Sequence, residues 1–182
     1  MNTVERLLLA LCLATLVACA PAPEEVCSAV VDTGFELPAA TISDCDGNSV
    51  SLLELIEANE VTYISFGAGW CTACQEEIPE LNALKTEFEG KNVGIVQILV
   101  EGMSPGVEAP LGLCGQWAGD ALPPIAEFPV WIDVEQSMIC DHFGEAVGTL
   151  PVHLLVTGDG TVQSRIVGAL PADMSARISD WL

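Results

Sequence analysis

The chain has 182 residues, enough for one domain with a proper core, and 51% of them are hydrophobic, which excludes a disordered polymer. Twenty-six acidic residues stand against five Lys plus Arg, for a formal net charge of −21. Such a surface repels phosphate backbones, so nucleic acid is excluded as a partner.

Residues 1–18 read as a signal peptide. Arg6 supplies a positive start, and Leu7 to Val17 form an apolar run. That run has the length of a signal core and is too short to span a bilayer as a stable helix. It ends in Leu16-Val17-Ala18-Cys19, which resembles the bacterial lipobox. The resemblance implies cleavage before Cys19, acylation of its thiol and attachment to a membrane through the lipid. Cys12, inside the apolar run, is given no role. Residues 19–34 are rich in Ala, Pro and Glu and show no periodicity, as a lipidated tether would.

The folded part is expected over 35–182. Asp44-Cys45-Asp46-Gly47-Asn48 carries hairpin-turn chemistry between two short extended pieces. Ser51 to Asn59 reads as a short helix, with Ser51 as N-cap and Glu54 three residues on. Val61 to Phe66 is a β-rich apolar run that leads through Gly67-Ala68-Gly69 into Trp70-Cys71. From Thr72 to Phe88 the apolar residues Ile78, Leu81, Leu84 and Phe88 recur at helical spacing, with Pro79 set to kink the helix. Asn92 to Val100 is a second buried strand. A Gly- and Pro-rich loop over 102–112, a short helix over 113–118 and another loop over 121–129 follow. Val130 to Ile132 is a short strand and Val134 to Phe143 a short helix. Val152 to Val156, the turn Thr157-Gly158-Asp159-Gly160, and Thr161 to Val167 form a hairpin, and Pro171 to Trp181 a closing helix. Strands alternating with helices argue for an α/β fold with a parallel core, to which the terminal hairpin adds antiparallel strands. The expectation is a mixed central sheet with helices on both faces and an N-terminal β-hairpin extension.

Cys71 and Cys74 carry the chemistry. They sit where a strand hands over to a helix N-terminus, where unpaired N–H groups and the helix dipole favour an anion. Cys71 is then the attacking thiolate and Cys74 the resolving thiol, exchanging dithiol for disulfide without any cofactor. No metal is expected. Structural zinc would need a second ligand pair, and Cys140-Asp141-His142 has poor spacing for one. Haem attachment would need His where Gln75 stands.

Phe66-Gly-Ala-Gly-Trp70-Cys71-Thr-Ala-Cys74, followed by Glu77, Pro79 and Leu81, resembles the membrane-tethered, thioredoxin-like thiol–disulfide oxidoreductases of the TlpA/ResA kind. Gly148-Thr149-Leu150-Pro151, ahead of a strand, resembles their cis-proline loop. The resemblance implies a thioredoxin-like fold and places Trp70 over the active site. It implies a cis Pro151 beside the cysteines, Leu150 in the substrate groove and a proton-handling Glu77. It also implies protein thiols and disulfides as substrates, a membrane electron-donor thiol protein as partner and a lean towards reduction. In two places the chain departs from that family's pattern. Gly67 stands where Trp is common, and Ser65 where thioredoxin buries an Asp. A peroxidase of the peroxiredoxin type would carry Thr where Ala68 stands.

Eight cysteines less Cys12 and Cys19 leave six, an even number that fits an oxidising compartment. Beyond Cys71 and Cys74, Cys27 with Cys45 and Cys114 with Cys140 are candidate staples, each worth roughly 3 kcal/mol. A second redox relay is the alternative. Two other functions compete with the enzyme. One is a copper-delivery chaperone, with His142 or His153 as a third ligand; the other is a redox-inert interaction domain. Trp117, Trp131 and Trp181 are read as core.

Overall fold

The computed structural model describes residues 32–40, 42–117, 125–134, 136–138 and 149–182. Cys12, Cys19, Cys27, Cys140 and His142 lie outside the described residues, as do almost all of the expected tether and most of the helix expected over 134–143.

The chain order begins with β1 (Ile42–Ser43), β2 (Ser49–Val50), α1 (Leu52–Glu57), β3 (Val61–Ala68), α2 (Thr72–Glu76) and α3 (Ile78–Glu87). It continues with β4 (Val93–Glu101), α4 (Leu111–Trp117), β5 (Val130–Ile132), β6 (Val152–Thr157), β7 (Val162–Val167) and α5 (Met174–Ser179). The strands form one seven-stranded sheet in the order β2-β1-β5-β4-β3-β6-β7. β3 pairs in parallel with β4, and β4 with β5. β6, β7 and the first hairpin run antiparallel to their neighbours. The expected α/β fold with a mixed sheet and an N-terminal hairpin is therefore present.

Local chemistry explains the boundaries. The first hairpin turns because the Asp44 carboxylate accepts N–H bonds from Asp46 and Asn48, and Gly47 supplies a φ of +84°. Ser51 caps α1 by accepting the Glu54 N–H at 3.1 Å. Every residue of β3 is buried, as a central strand covered on both faces requires. Residues 34–37 bond to the last hairpin, with Gly34 N–H donating to the Val162 carbonyl and Val162 N–H to that of Phe35.

Three expectations need correction. The helix from Thr72 does not merely kink. It breaks into α2 and α3 at Glu77, because Pro79 lacks the N–H a continuous helix would use and seats itself in the first turn of α3. The closing helix is only Met174–Ser179, with Pro171 and Ala172 outside it. Trp117 is buried and Trp131 half-buried, but Trp181 is exposed, past the end of α5 and outside the core cluster.

Candidate active site

β3 delivers the active-site loop by running out of ladder. Its register against β4 shifts between Gly67 and Ala68, and the chain turns through Gly69 and Trp70 into α2. Gly69 N–H donates to the Glu101 carbonyl and Trp70 N–H to the Gly102 carbonyl, so the loop is tied to the end of β4. Cys71 is the N-cap of α2, and Cys74 lies one turn in. The two are joined by a disulfide with Cα atoms 5.3 Å apart. The Cys74 N–H donates to Cys71 Sγ at 3.1 Å. Once the bond opens, that donor favours charge on Cys71 sulfur. Cys74 is fully buried and Cys71 nearly so.

Gly67 makes room for this arrangement. A Cβ added there would lie 3.3 Å from Cys74 Cβ and 3.5 Å from its Sγ. Gly69 is tighter. Its added Cβ would stand 2.8 Å from the Gly102 carbonyl oxygen, 2.9 Å from Leu113 Cδ2 and 2.9 Å from Met103 Sδ. Gly69→Ala should therefore push the loop off β4, costing roughly 1–3 kcal/mol and slowing exchange. Denaturant midpoints and an insulin-reduction assay would show it; an unchanged midpoint would contradict this close packing of Gly69 against Gly102, Met103 and Leu113.

Trp70 is fixed by a buried carboxylate that the sequence reading missed. Glu101 accepts the Trp70 indole N–H at 2.6 Å and the Gly106 backbone N–H at 2.8 Å. One side chain thus holds both the indole beside Cys71 and the loop that follows β4. The missed signal was a charged residue closing a strand that is apolar but for Gln97.

Glu77 lies one turn beyond Cys74, at the break between α2 and α3. It is buried, with Oε1 accepting the Leu170 N–H at 2.7 Å. Its carboxyl is pushed up to about 7, chiefly by desolvation and further by the charge of Glu80, against the Leu170 bond that favours ionisation. The Leu150–Pro151 peptide is cis. Both residues are buried, and the Pro151 carbonyl accepts the Gly168 N–H at 2.9 Å.

Behind the cysteines runs a buried polar row. Trp117 Nε1 donates to Gln97 Oε1 at 2.6 Å, and Gln97 Nε2 approaches Ser65 Oγ at 3.5 Å. On the far side of Ser65, the Tyr63 hydroxyl meets His153 Nδ1 at 2.6 Å. His153 Nε2 reaches the Gly168 carbonyl at 2.9 Å. Tyr63 and Ser65 share a face of β3 by the two-residue period, and Ser65 stands in register with Gln97 on one side and His153 on the other. Burial holds His153 neutral, its pKa lowered to about 4. Both its ring nitrogens are engaged by protein groups. Among the described residues no three of His, Cys, Asp and Glu are placed to hold a metal ion.

The second disulfide corrects the expected pairings. Cys45 is bonded to Cys114, 69 residues away in sequence, so neither Cys27–Cys45 nor Cys114–Cys140 forms. The hairpin turn and α4 meet beside β5, where the Val130 carbonyl oxygen lies 3.4 Å from Cys45 Sγ and 3.2 Å from Cys114 Sγ.

Residues 33–165 match the AhpC/TSA family. The chain belongs to that family. Among its curated relatives, the thiol-disulfide oxidoreductase ResA of Bacillus thuringiensis (strain Al Hakam) is 27% identical over 135 residues, covering 74% of this chain and 69% of the relative. The ResA of Bacillus subtilis (strain 168) is 22% identical over 144 residues, 79% and 72% of the two chains. The fold is shared with the pneumococcal exposed lipoprotein thioredoxin Etrx1 of Streptococcus pneumoniae at a TM-score of 0.62 and 15% identity, covering 79% of this chain and 99% of that one. It is also shared with a thioredoxin-family thiol:disulfide interchange protein from Chlorobium tepidum TLS, at 0.59 and 18%, covering 84% and 98%. The TlpA/ResA-like resemblance read from the motifs is therefore upheld, and with it the thioredoxin-like fold. Within the AhpC/TSA family this chain is a thiol–disulfide oxidoreductase.

Proposed function

We propose that the chain is exported and lipid-anchored through Cys19, and that it reduces disulfides of other envelope proteins with electrons from a membrane thiol protein. In this reading residues 1–18 are removed as a signal peptide, 19–34 form the tether, and 35–182 work at the periplasmic or outer surface of a membrane. Among the described residues no helix is long and apolar enough to cross a bilayer. The lipobox supports the anchor, and the TlpA/ResA kinship supports the reducing direction.

The observation that carries the chemistry is the Cys71–Cys74 pair at the start of α2 with Glu77 buried one turn on. Reduced Cys71 attacks one sulfur of a partner disulfide, forming a mixed disulfide and releasing the other partner sulfur as a thiolate. Cys74 passes its proton to Glu77, attacks Cys71 sulfur and frees the second partner thiolate. Two electrons have moved to the partner, and the Cys71–Cys74 bond is restored. A carboxyl titrating at about 7 can both take and return that proton near neutral pH. Leu150 and cis Pro151 form the wall against which a partner segment lies, and Trp70 its rim.

Two measurements test this. Cys74→Ser should trap mixed disulfides with partner proteins, visible as reductant-sensitive bands that the additional Cys71→Ser change removes. Equilibration against glutathione should give a potential near that of thioredoxin, about −270 mV; a value near −120 mV would make the protein an oxidant, since about 30 mV is tenfold in the equilibrium constant. A pair that never cycles would sink the enzymatic reading, and copper uptake lost in Cys71→Ser would favour a chaperone.

A further inference from the structure

One oxygen of the site is unaccounted for. Glu77 Oε1 takes the Leu170 N–H, but Oε2 is buried and makes no hydrogen bond among the described residues. His153 Nε2 stands 3.6 Å from it. The direction of each bond around His153 is forced. The Gly168 carbonyl can only accept, so Nε2 carries the hydrogen and Nδ1 is the acceptor of the Tyr63 hydroxyl. The Gly168 carbonyl therefore fixes the tautomer in which the imidazole N–H points toward both that carbonyl and Glu77, and the Tyr63 hydroxyl supports it by donating to Nδ1.

We infer that His153 is a positioning residue that sets the proton affinity of Glu77, by sharing its single Nε2–H between the Gly168 carbonyl and Glu77 Oε2. While Glu77 holds a proton, the N–H stays on Gly168. When Glu77 is ionised, a small ring rotation exchanges a neutral acceptor for a charged one, which is the stronger bond. His153 itself neither gains nor loses a proton. This rests on the proposed proton-handling role of Glu77 and supplies what tunes it.

The groups facing Glu77 are consistent with that role. Cys74 precedes it on α2 and Glu80 follows on α3. His153 faces it from β6 with Tyr63 of β3 behind, and Gly168 and Leu170 offer backbone groups from the segment after β7. Glu80 and Tyr63 give it no positive charge. The cations of α3 and α5 pair elsewhere, Lys85 with Glu89 and Arg177 with Asp173. His153 Nε2–H is the side-chain donor within reach of Oε2 among the described residues.

The test is a pH titration of the Glu77 carboxyl by infrared difference spectroscopy on the full chain in detergent, with Glu77→Gln identifying the band. It reads proton affinity without any exchange partner, so its outcome is separate from the proposed reaction. In His153→Leu the midpoint should rise by about one unit, a tenfold weaker acid. His153→Gln, which keeps an N–H donor, should restore most of the wild-type value. Tyr63→Phe removes the donor to Nδ1 that helps hold the ring and should raise the midpoint by a smaller amount, and it stands in if His153→Leu does not fold. Midpoints unmoved in His153→Leu and Tyr63→Phe would overturn the inference. A midpoint that shifts while alkylation of Cys74 keeps its pH profile would uphold it and reject Glu77 as the acceptor of the Cys74 proton.

Discussion

The double variant Cys45→Ser, Cys114→Ser should lose roughly 4 kcal/mol of stability, the loop entropy released when a cross-link spanning 69 residues is removed. In thermal melts this corresponds to a fall of about 8–16 °C for a chain of this size. The comparison is clean because the Val130 carbonyl already lies within 3.4 Å of both sulfurs. Serine hydroxyls can donate to it, so the loss reports the missing link rather than an unsatisfied buried group. The active site should feel it too. Leu113, adjacent to Cys114 on α4, is packed where Gly69 has no side chain, and a loosened α4 leaves Trp70 and Cys71 less well held. Urea unfolding with insulin reduction on the same samples checks both effects. A loss below about 1 kcal/mol would mean that the unfolded chain is not constrained by this bond.

Glu77→Gln should make the protein more stable at pH 8 and less active. Burial raises the Glu77 carboxyl from 4.5 to about 7, so the folded state holds this proton after the unfolded chain has released it. Stability must then fall with pH between about 4.5 and about 7, and the full cost stands above 7. The shift corresponds to as much as about 3 kcal/mol. Glutamine removes the charge and keeps an oxygen for the Leu170 N–H. His153 acts in the opposite sense. Its pKa falls from 6.5 to about 4, so folding gains stability as pH rises through that window. The wild-type curve is a near-cancellation of the two, whereas Glu77→Gln should climb from about pH 4 to about 6.5 and then stay level. Urea midpoints across that range decide it. A variant less stable than wild type at pH 8 would show the ionised carboxylate to be favourably held.

Much of this was legible because it is local. The Asp44-to-Asn48 turn, the Ser51 cap and the Thr157–Gly160 turn each reside within a few residues. The Cys71–Cys74 spacing with Glu77 on the next turn is equally compact, and the motif resemblance pointed to the cis peptide before Pro151. Pro79 marks a disturbance in the sequence, but whether a helix bends or restarts there depends on what packs against Glu77. The pairing of Cys45 with Cys114 was out of reach, since it depends on where a loop of 69 residues closes. The polar row was hidden for the same reason. Tyr63, Ser65, Gln97 and His153 look unremarkable in three separate apolar runs, and only strand register aligns them. One trace was available: Tyr63 and Ser65 alternate on a single face of β3.

That row also has a consequence for descent. Its donors point one way, Trp117 to Gln97 and Gln97 to Ser65 at one end, Tyr63 to His153 and His153 to Gly168 at the other. No member can be exchanged for an apolar residue without stranding the next one along, and none can be reversed alone. The positions are scattered over ninety residues of sequence, yet a change at one bears on its neighbours in the row. Relatives should carry the set or have replaced it whole, and one with a buried acid at position 65 should be found to lack the imidazole at 153.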